Sequence, residues 1–150
     1  MANSHSERRE TDAGRIKGRV QRKSVPGKGN TQMSKNYPKH YEHLRELMGR
    51  LGRDIPQTMG AFSKLHHASV SDGVLSAREK ELISLGIAIT VRCDGCIAFH
   101  VHDALEAGAS RDEITETIGV AVLMGGGPAV MYGCEALEAL EQFEALKVAA

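Results

Sequence analysis

The sequence predicts an all-α fold, a bundle of five or six helices. Three observations predict it. Apolar residues make up 41% of the 150 positions but aromatics only 4%, with no Trp, three Tyr and three Phe. The core must then be built from Ala, Leu, Ile, Val and Met, a palette that favours packed helices. Apolar positions recur at spacings of three and four along most of the chain. Finally, Ser76-Ala-Arg-Glu79 and Ser110-Arg-Asp-Glu113 have capping-box form and mark helix starts.

Residues 1–32 stand apart. They hold eight Lys/Arg against three Asp/Glu, a net of +5, whereas residues 33–150 hold eleven against sixteen, a net of −5. With almost no apolar content and no period, 1–32 read as a disordered basic tail. Met33 can serve as a natural start, which would make the tail a non-native appendage or an over-extended gene start. A basic arm for nucleic acid or acidic partners is the other reading, with composition alone behind it. Residues 33–150 read as a single domain.

In chain order, Tyr41, Leu44, Leu47, Met48 and Leu51 share one helical face. Pro56 ends that helix and opens the next, with Met59, Phe62 and Leu65 on one face. Ser71-Asp72-Gly73 is a turn. The Ser76 capping box starts a helix through Leu82, Leu85 and Ile89. The β-branched run Leu82–Val91 would also suit a buried strand, but the cap gives it helical length and no other strand exists to pair with it. Asp94 to Gly108 is a further helix with Ile97, Val101, Ala104 and Leu105 inward, and Gly108 is placed to end it. The helix after Ser110 is apolar nearly all round, through Ile118, Val120, Val122, Leu123 and Met124. Gly125-Gly126-Gly127-Pro128 interrupts it; it lacks a phosphate-loop pattern and reads as a tight bend or close helix approach. A last helix runs from about Ala129 to Leu146, with Leu137, Leu140, Phe143 and Leu146 as its stripe and Cys134 as a small buried hydrophobe.

A helix apolar on all sides needs burial on all sides, more than one layer of neighbours supplies in so short a chain. A homo-oligomer using the region around Val120–Met131 is the expectation, with a central helix inside one bundle as the other reading. The overall charge is zero, with Lys+Arg and Asp+Glu both 19, which argues against nucleic-acid binding through a global basic field. No stretch approaches the roughly 20 apolar residues of a membrane span, and the N-terminus has no apolar signal-peptide core. Three cysteines, two of them in one CxxC, point to a reduced cytoplasmic protein with a redox or metal site rather than a disulfide framework.

The chemistry gathers at Glu81, Cys93, Cys96 and His100. Cys93-Asp-Gly-Cys96 sits where one helix ends and the next begins. The positive end of the helix dipole favours thiolate there, and a separation of three lets the sulfurs approach each other. Asp94 works against the first effect. His100 follows Cys96 by four residues and Cys93 by seven, offsets of about 40° and about 20° on a helix, so all three share a face. An imidazole there can take a thiol proton as general base. Glu81 would lie ~18 Å from Cys93 on one continuous helix. If the chain reverses near Arg92, Glu81 instead faces His100 or Asp103 and can orient the imidazole, forming a Glu–His–Cys relay. His102 points off this face; His66 and His67 could line a pocket, but read rather as partly exposed helix residues. Two inert buried thiols, or half of a zinc site completed by His100 with His102 or His67, are the competing readings, but zinc lacks a second CxxC or His pair.

Glu81, Cys93-x-x-Cys96 and then His100, flanked by Ser76-Ala-Arg-Glu-Lys-Glu81-Leu, Ile97-Ala-Phe-His100, Ala107-Gly-Ala-Ser-Arg-Asp-Glu113-Ile and Gly125-Gly-Gly-Pro-Ala, resemble the alkylhydroperoxidase D-like family within the carboxymuconolactone decarboxylase superfamily. The resemblance spans about Tyr41–Phe143. It implies an all-helical fold assembled as homo-trimers or homo-hexamers. It also implies a peroxidase whose CxxC pair reduces alkyl hydroperoxides, or passes electrons to a peroxiredoxin partner, with an external lipoamide-like dithiol as reductant and no tightly bound cofactor or metal. By position, the resemblance makes Cys96 the thiolate activated through His100, Cys93 its disulfide partner and Glu81 the relay carboxylate; the spacing leaves open which sulfur meets peroxide first. Two departures stand out: Gly95 occupies a position where peroxidase members often carry His, and the chain holds one copy of a helical unit that longer members hold twice. The alternatives are a decarboxylase-type lyase, which needs no CxxC chemistry, and a non-catalytic redox-sensing or zinc-binding module.

Overall fold

A computed structural model describes residues 35–149; the expectation of a disordered tail at 1–32 lies outside the described residues. Among these there are six helices and no strand: α1 (Tyr37–Asp54), α2 (Pro56–Val70), α3 (Ala77–Thr90), α4 (Asp94–Glu106), α5 (Arg111–Gly125) and α6 (Gly127–Ala149). The all-α expectation holds, and the ambiguous run Leu82–Val91 is helical through Thr90. Both capping boxes form as read. Ser76 accepts from Glu79 N–H and Ser110 from Glu113 N–H, while each glutamate reaches back to the backbone N–H of its serine. Those bonds hold the Glu79 and Glu113 carboxyls below the ordinary carboxylate range, the bond from the serine backbone N–H first and the hydroxyl second.

Helix α3 is central. It packs on α4 and α5 and also touches α6, while α4 and α5 both lie against α6. The core is Leu85, Ala88 and Ile89 of α3, Ile97, Ala98, Val101 and Ala104 of α4, Ile114 and Ala121 of α5, and a small-residue stripe on α6. Small residues let the axes close in. A Cβ on Gly133 would stand 2.9 Å from Ile118 Cγ2, and one on Gly125 would stand 2.7 Å from Ala129 Cβ, both inside contact distance. The glycine run is therefore the tight bend expected, with Gly126 at φ 64° between α5 and α6. Gly108 likewise ends α4 at φ 86°, where Ala109 N–H returns to Ala104 O.

Several expectations need correction. Helix α1 starts at Tyr37, four residues before the apolar period. Asn36 caps it by accepting from Lys39 N–H, and Pro38 sits in its first turn. The buried face of α6 is Ala129, Gly133, Ala136, Ala139, Leu140 and Phe143. Leu137 and Leu146 are instead exposed, because the stripe follows the small residues that permit close approach. Cys134 falls beside that stripe and is exposed, not buried. No residue of α2 is buried, and Leu47, Leu51, Phe62 and Leu65 are exposed. α2 rests mainly on α1 and also touches α3. The apolar helix α5 buries Ile114 and Ala121 while Val120, Leu123 and Met124 lie open.

Candidate functional site

The turn between α3 and α4 builds the site. Val91 closes α3, and Cys93 N–H reaches back to Ala88 O. Arg92 between them adopts φ 62°, a left-handed conformation that costs a non-glycine residue about 1–2 kcal/mol. That residue reverses the chain, so α3 and α4 pack against each other. Cys93 then becomes the N-cap of α4, its Sγ accepting from Cys96 N–H at 3.3 Å. Both thiol positions therefore lie at a helix N-terminus, as the spacing required. Cys93 and Cys96 are joined as a disulfide, and the pair is partly exposed.

The reversal also decides between the two partners open to Glu81. It faces His100, with Oε2 2.7 Å from Nδ1. Asp103 instead contacts the neighbouring His102 Nδ1, also at 2.7 Å. Glu81 is 4% exposed and is the one charged side chain in the core among the described residues. A buried carboxylate needs a hydrogen-bonded partner, and His100 supplies it. With Nδ1 held, Nε2 is the ring nitrogen left for chemistry.

His100, Cys93 and Cys96 line one cavity of about 740 Å³. α4 adds Gly95, Phe99 and Asp103, α1 adds Leu44, Arg45 and Met48, and α2 adds Met59, Phe62, Ser63 and His66. The walls are mostly apolar, with Arg45, His66 and Asp103 as the charged or titratable groups besides His100. The four residues expected to act together thus converge. His102 lies elsewhere: it stacks on Tyr41 with ring centroids 4.2 Å apart and lines a second, smaller cavity. His67 does not reach the site cavity, whereas the exposed His66 does. Among the described residues no three His, Cys, Asp or Glu side chains converge as a metal site.

Sequence reasoning missed the contribution of α1 and α2. Met48, Met59 and Phe62 carry helical spacing that shows a shared face, and that face proves to be the wall of a cavity. It also missed why Gly95 is small. A Cβ there would stand 3.0 Å from Leu44 Cδ1, so α1 closes over the site at this position.

An all-helical chain with a CxxC disulfide beside a buried carboxylate–imidazole pair defines the class. The family model of the carboxymuconolactone decarboxylase family matches residues 56–139, and the chain belongs to this family. An uncharacterized protein of Cupriavidus necator is 39% identical over 103 residues, covering 69% of this chain and 88% of that protein. A family member from Legionella pneumophila of known structure is 39% identical with a TM-score of 0.69, covering 71% of this chain and 96% of its own. A Thermotoga maritima member, described with a suggested part in antioxidative response, is 30% identical with a TM-score of 0.66, covering 73% and 92%. No helix among the described residues is long and apolar enough to cross a membrane.

Proposed function

We propose that this protein is a thiol-dependent peroxidase of the alkylhydroperoxidase type, using Cys93 and Cys96 as a redox pair. The observation that carries the reading is the Glu81–His100 contact in the cavity wall that also holds both sulfurs. In the reduced protein, His100 takes the Cys96 proton and Glu81 stabilises the imidazolium. The thiolate attacks the terminal oxygen of a hydroperoxide and the O–O bond breaks. The leaving alkoxide collects the proton from His100 and departs as alcohol, and Cys96 becomes a sulfenic acid. Cys93 then attacks that sulfur, forming the disulfide and releasing water. An external dithiol of the dihydrolipoamide kind reduces the disulfide through a mixed disulfide and leaves as its own cyclic disulfide. A peroxiredoxin disulfide can stand in for hydroperoxide as electron acceptor. A reducing cytoplasm would supply such donors, and no bound cofactor or metal is needed. The mostly apolar cavity suits an alkyl hydroperoxide better than a carboxylated lactone.

The active assembly in this reading is a homo-trimer or homo-hexamer. Ile83, Ile87 and Val91 of the α3 side face Val120 and Met124 of α5 across an apolar groove of about 490 Å³, and all five are exposed. Leu123→Glu, on the same helix, is expected to shift the mass measured by light scattering to that of the single chain; an unchanged mass removes α5 from the interface.

Turnover of cumene hydroperoxide with dihydrolipoamide tests the activity. Consumption that disappears in Cys96→Ser supports the peroxidase. No consumption, with both thiols still free after peroxide, removes it and favours the decarboxylase assay and zinc analysis.

A further inference from the structure

We propose that Lys35 is a positioning residue for the CxxC pair, neutralising Asp94 so that its carboxylate does not suppress thiolate at Cys93 and Cys96. Asp94 is the first residue of α4 and lies inside the CxxC. Its charge suits the helix dipole but opposes a thiolate beside it. Lys35 Nζ donates to Asp94 Oδ2 and, at 2.9 Å, to Glu135 Oε2 of α6.

Lys35 is held where it is. Gln142 of α6 brackets it, accepting from Tyr37 N–H at 2.7 Å and donating to Lys35 O at 2.8 Å. The fully buried Tyr37 donates its hydroxyl to the same Glu135 oxygen at 2.8 Å. Burial, then Glu135, push the Tyr37 hydroxyl far above its ordinary range, so it stays a donor. For Lys35, burial acts downward, but the bonds to Asp94 and Glu135 outweigh it and the net direction is up; the ammonium stays charged. Glu138 adds its negative charge to those of Glu135 and Asp94 at the Tyr37 hydroxyl. Helices α1 and α6 thus aim one ammonium at the carboxylate that α4 carries within the redox motif.

This inference rests on the CxxC pair being redox-active, and its test needs no turnover. The reduced full-length protein, carrying Cys134→Ser to silence the third thiol, is alkylated with iodoacetamide across pH. Lys35→Met is expected to raise the midpoint of the alkylation profile by about 0.5–1 pH unit, hence roughly three- to tenfold slower alkylation at a fixed pH below it. Lys35→Arg is expected to restore the profile, and Lys35→Met with Asp94→Asn to match Asp94→Asn alone. An unmoved midpoint in Lys35→Met overturns the proposal, as does an equal shift whether or not Asp94 is present, which would mark Lys35 as a structural clamp. Failure of hydroperoxide turnover in the parent strikes the peroxidase reading alone.

Discussion

Replacing Glu81 by Gln keeps the shape of the side chain and removes its charge. Glu81 is 4% exposed and its Oε2 lies 2.7 Å from His100 Nδ1, so solvent screens the pair little. A charge-assisted hydrogen bond of that kind contributes about 1–2 kcal/mol more to the protonated imidazole than a neutral one can. If His100 carries the thiol proton in the rate-limiting attack, that loss appears as a fall in rate of roughly 5- to 30-fold. The assay is the second-order rate of oxidation of the reduced protein by hydroperoxide, followed by loss of free thiol in stopped flow. Glu81→Ala is the companion variant. It leaves Nδ1 without its partner and is expected to lower unfolding stability by about 1–3 kcal/mol as well. A Gln variant that oxidises at the parent rate would refute the relay, whatever its stability.

Three further outcomes follow from the same geometry. Gly95→His alone is expected to destabilise the fold by at most about 1 kcal/mol in urea unfolding, because its Cβ presses only on the mobile end of Leu44; adding Leu44→Ala should recover part of that. Arg92→Gly relieves the left-handed conformation and is expected to raise stability by up to about 1 kcal/mol, less what glycine loses in unfolded-state entropy; a lower melting temperature would show that the arginine side chain matters more. The capping carboxyls fix a pH dependence. Glu79 and Glu113 are held below their ordinary 4.5, so the stability they contribute is full above that value and fades as pH falls through the lower folded-state range. Ser76→Ala and Ser110→Ala together are expected to flatten that acid limb in melts between pH 5 and pH 2.

Much of this architecture is legible in sequence because its signals are local. Capping boxes, Gly108 and the glycine run each act within a few residues, and each forms as read. The Glu81–His100 pairing is legible only given a reversal at Arg92, which no glycine announces there. What stayed hidden depends on packing between distant segments. The α6 face keeps Leu140 and Phe143 of the expected stripe but otherwise follows alanines and a glycine, leaving Leu137 and Leu146 outside, because close approach to α5 selects small residues. The apolar faces of α1 and α2 are legible as faces, but not as the walls of a cavity, since periodicity reports a face and not what covers it. Lys35 carried no signal, because its partners lie 59 and 100 residues away.

The central claim is that Cys96 is the thiol that meets peroxide and Cys93 the one that resolves it. Intact-protein mass spectrometry tests this most directly, after one equivalent of hydroperoxide is added to the reduced protein in the presence of dimedone. The account predicts that the parent loses the mass of two hydrogens as the disulfide closes, and that Cys93→Ser accumulates a dimedone adduct on Cys96. An adduct on Cys93 in Cys96→Ser, with none on Cys96 in Cys93→Ser, would contradict the assignment.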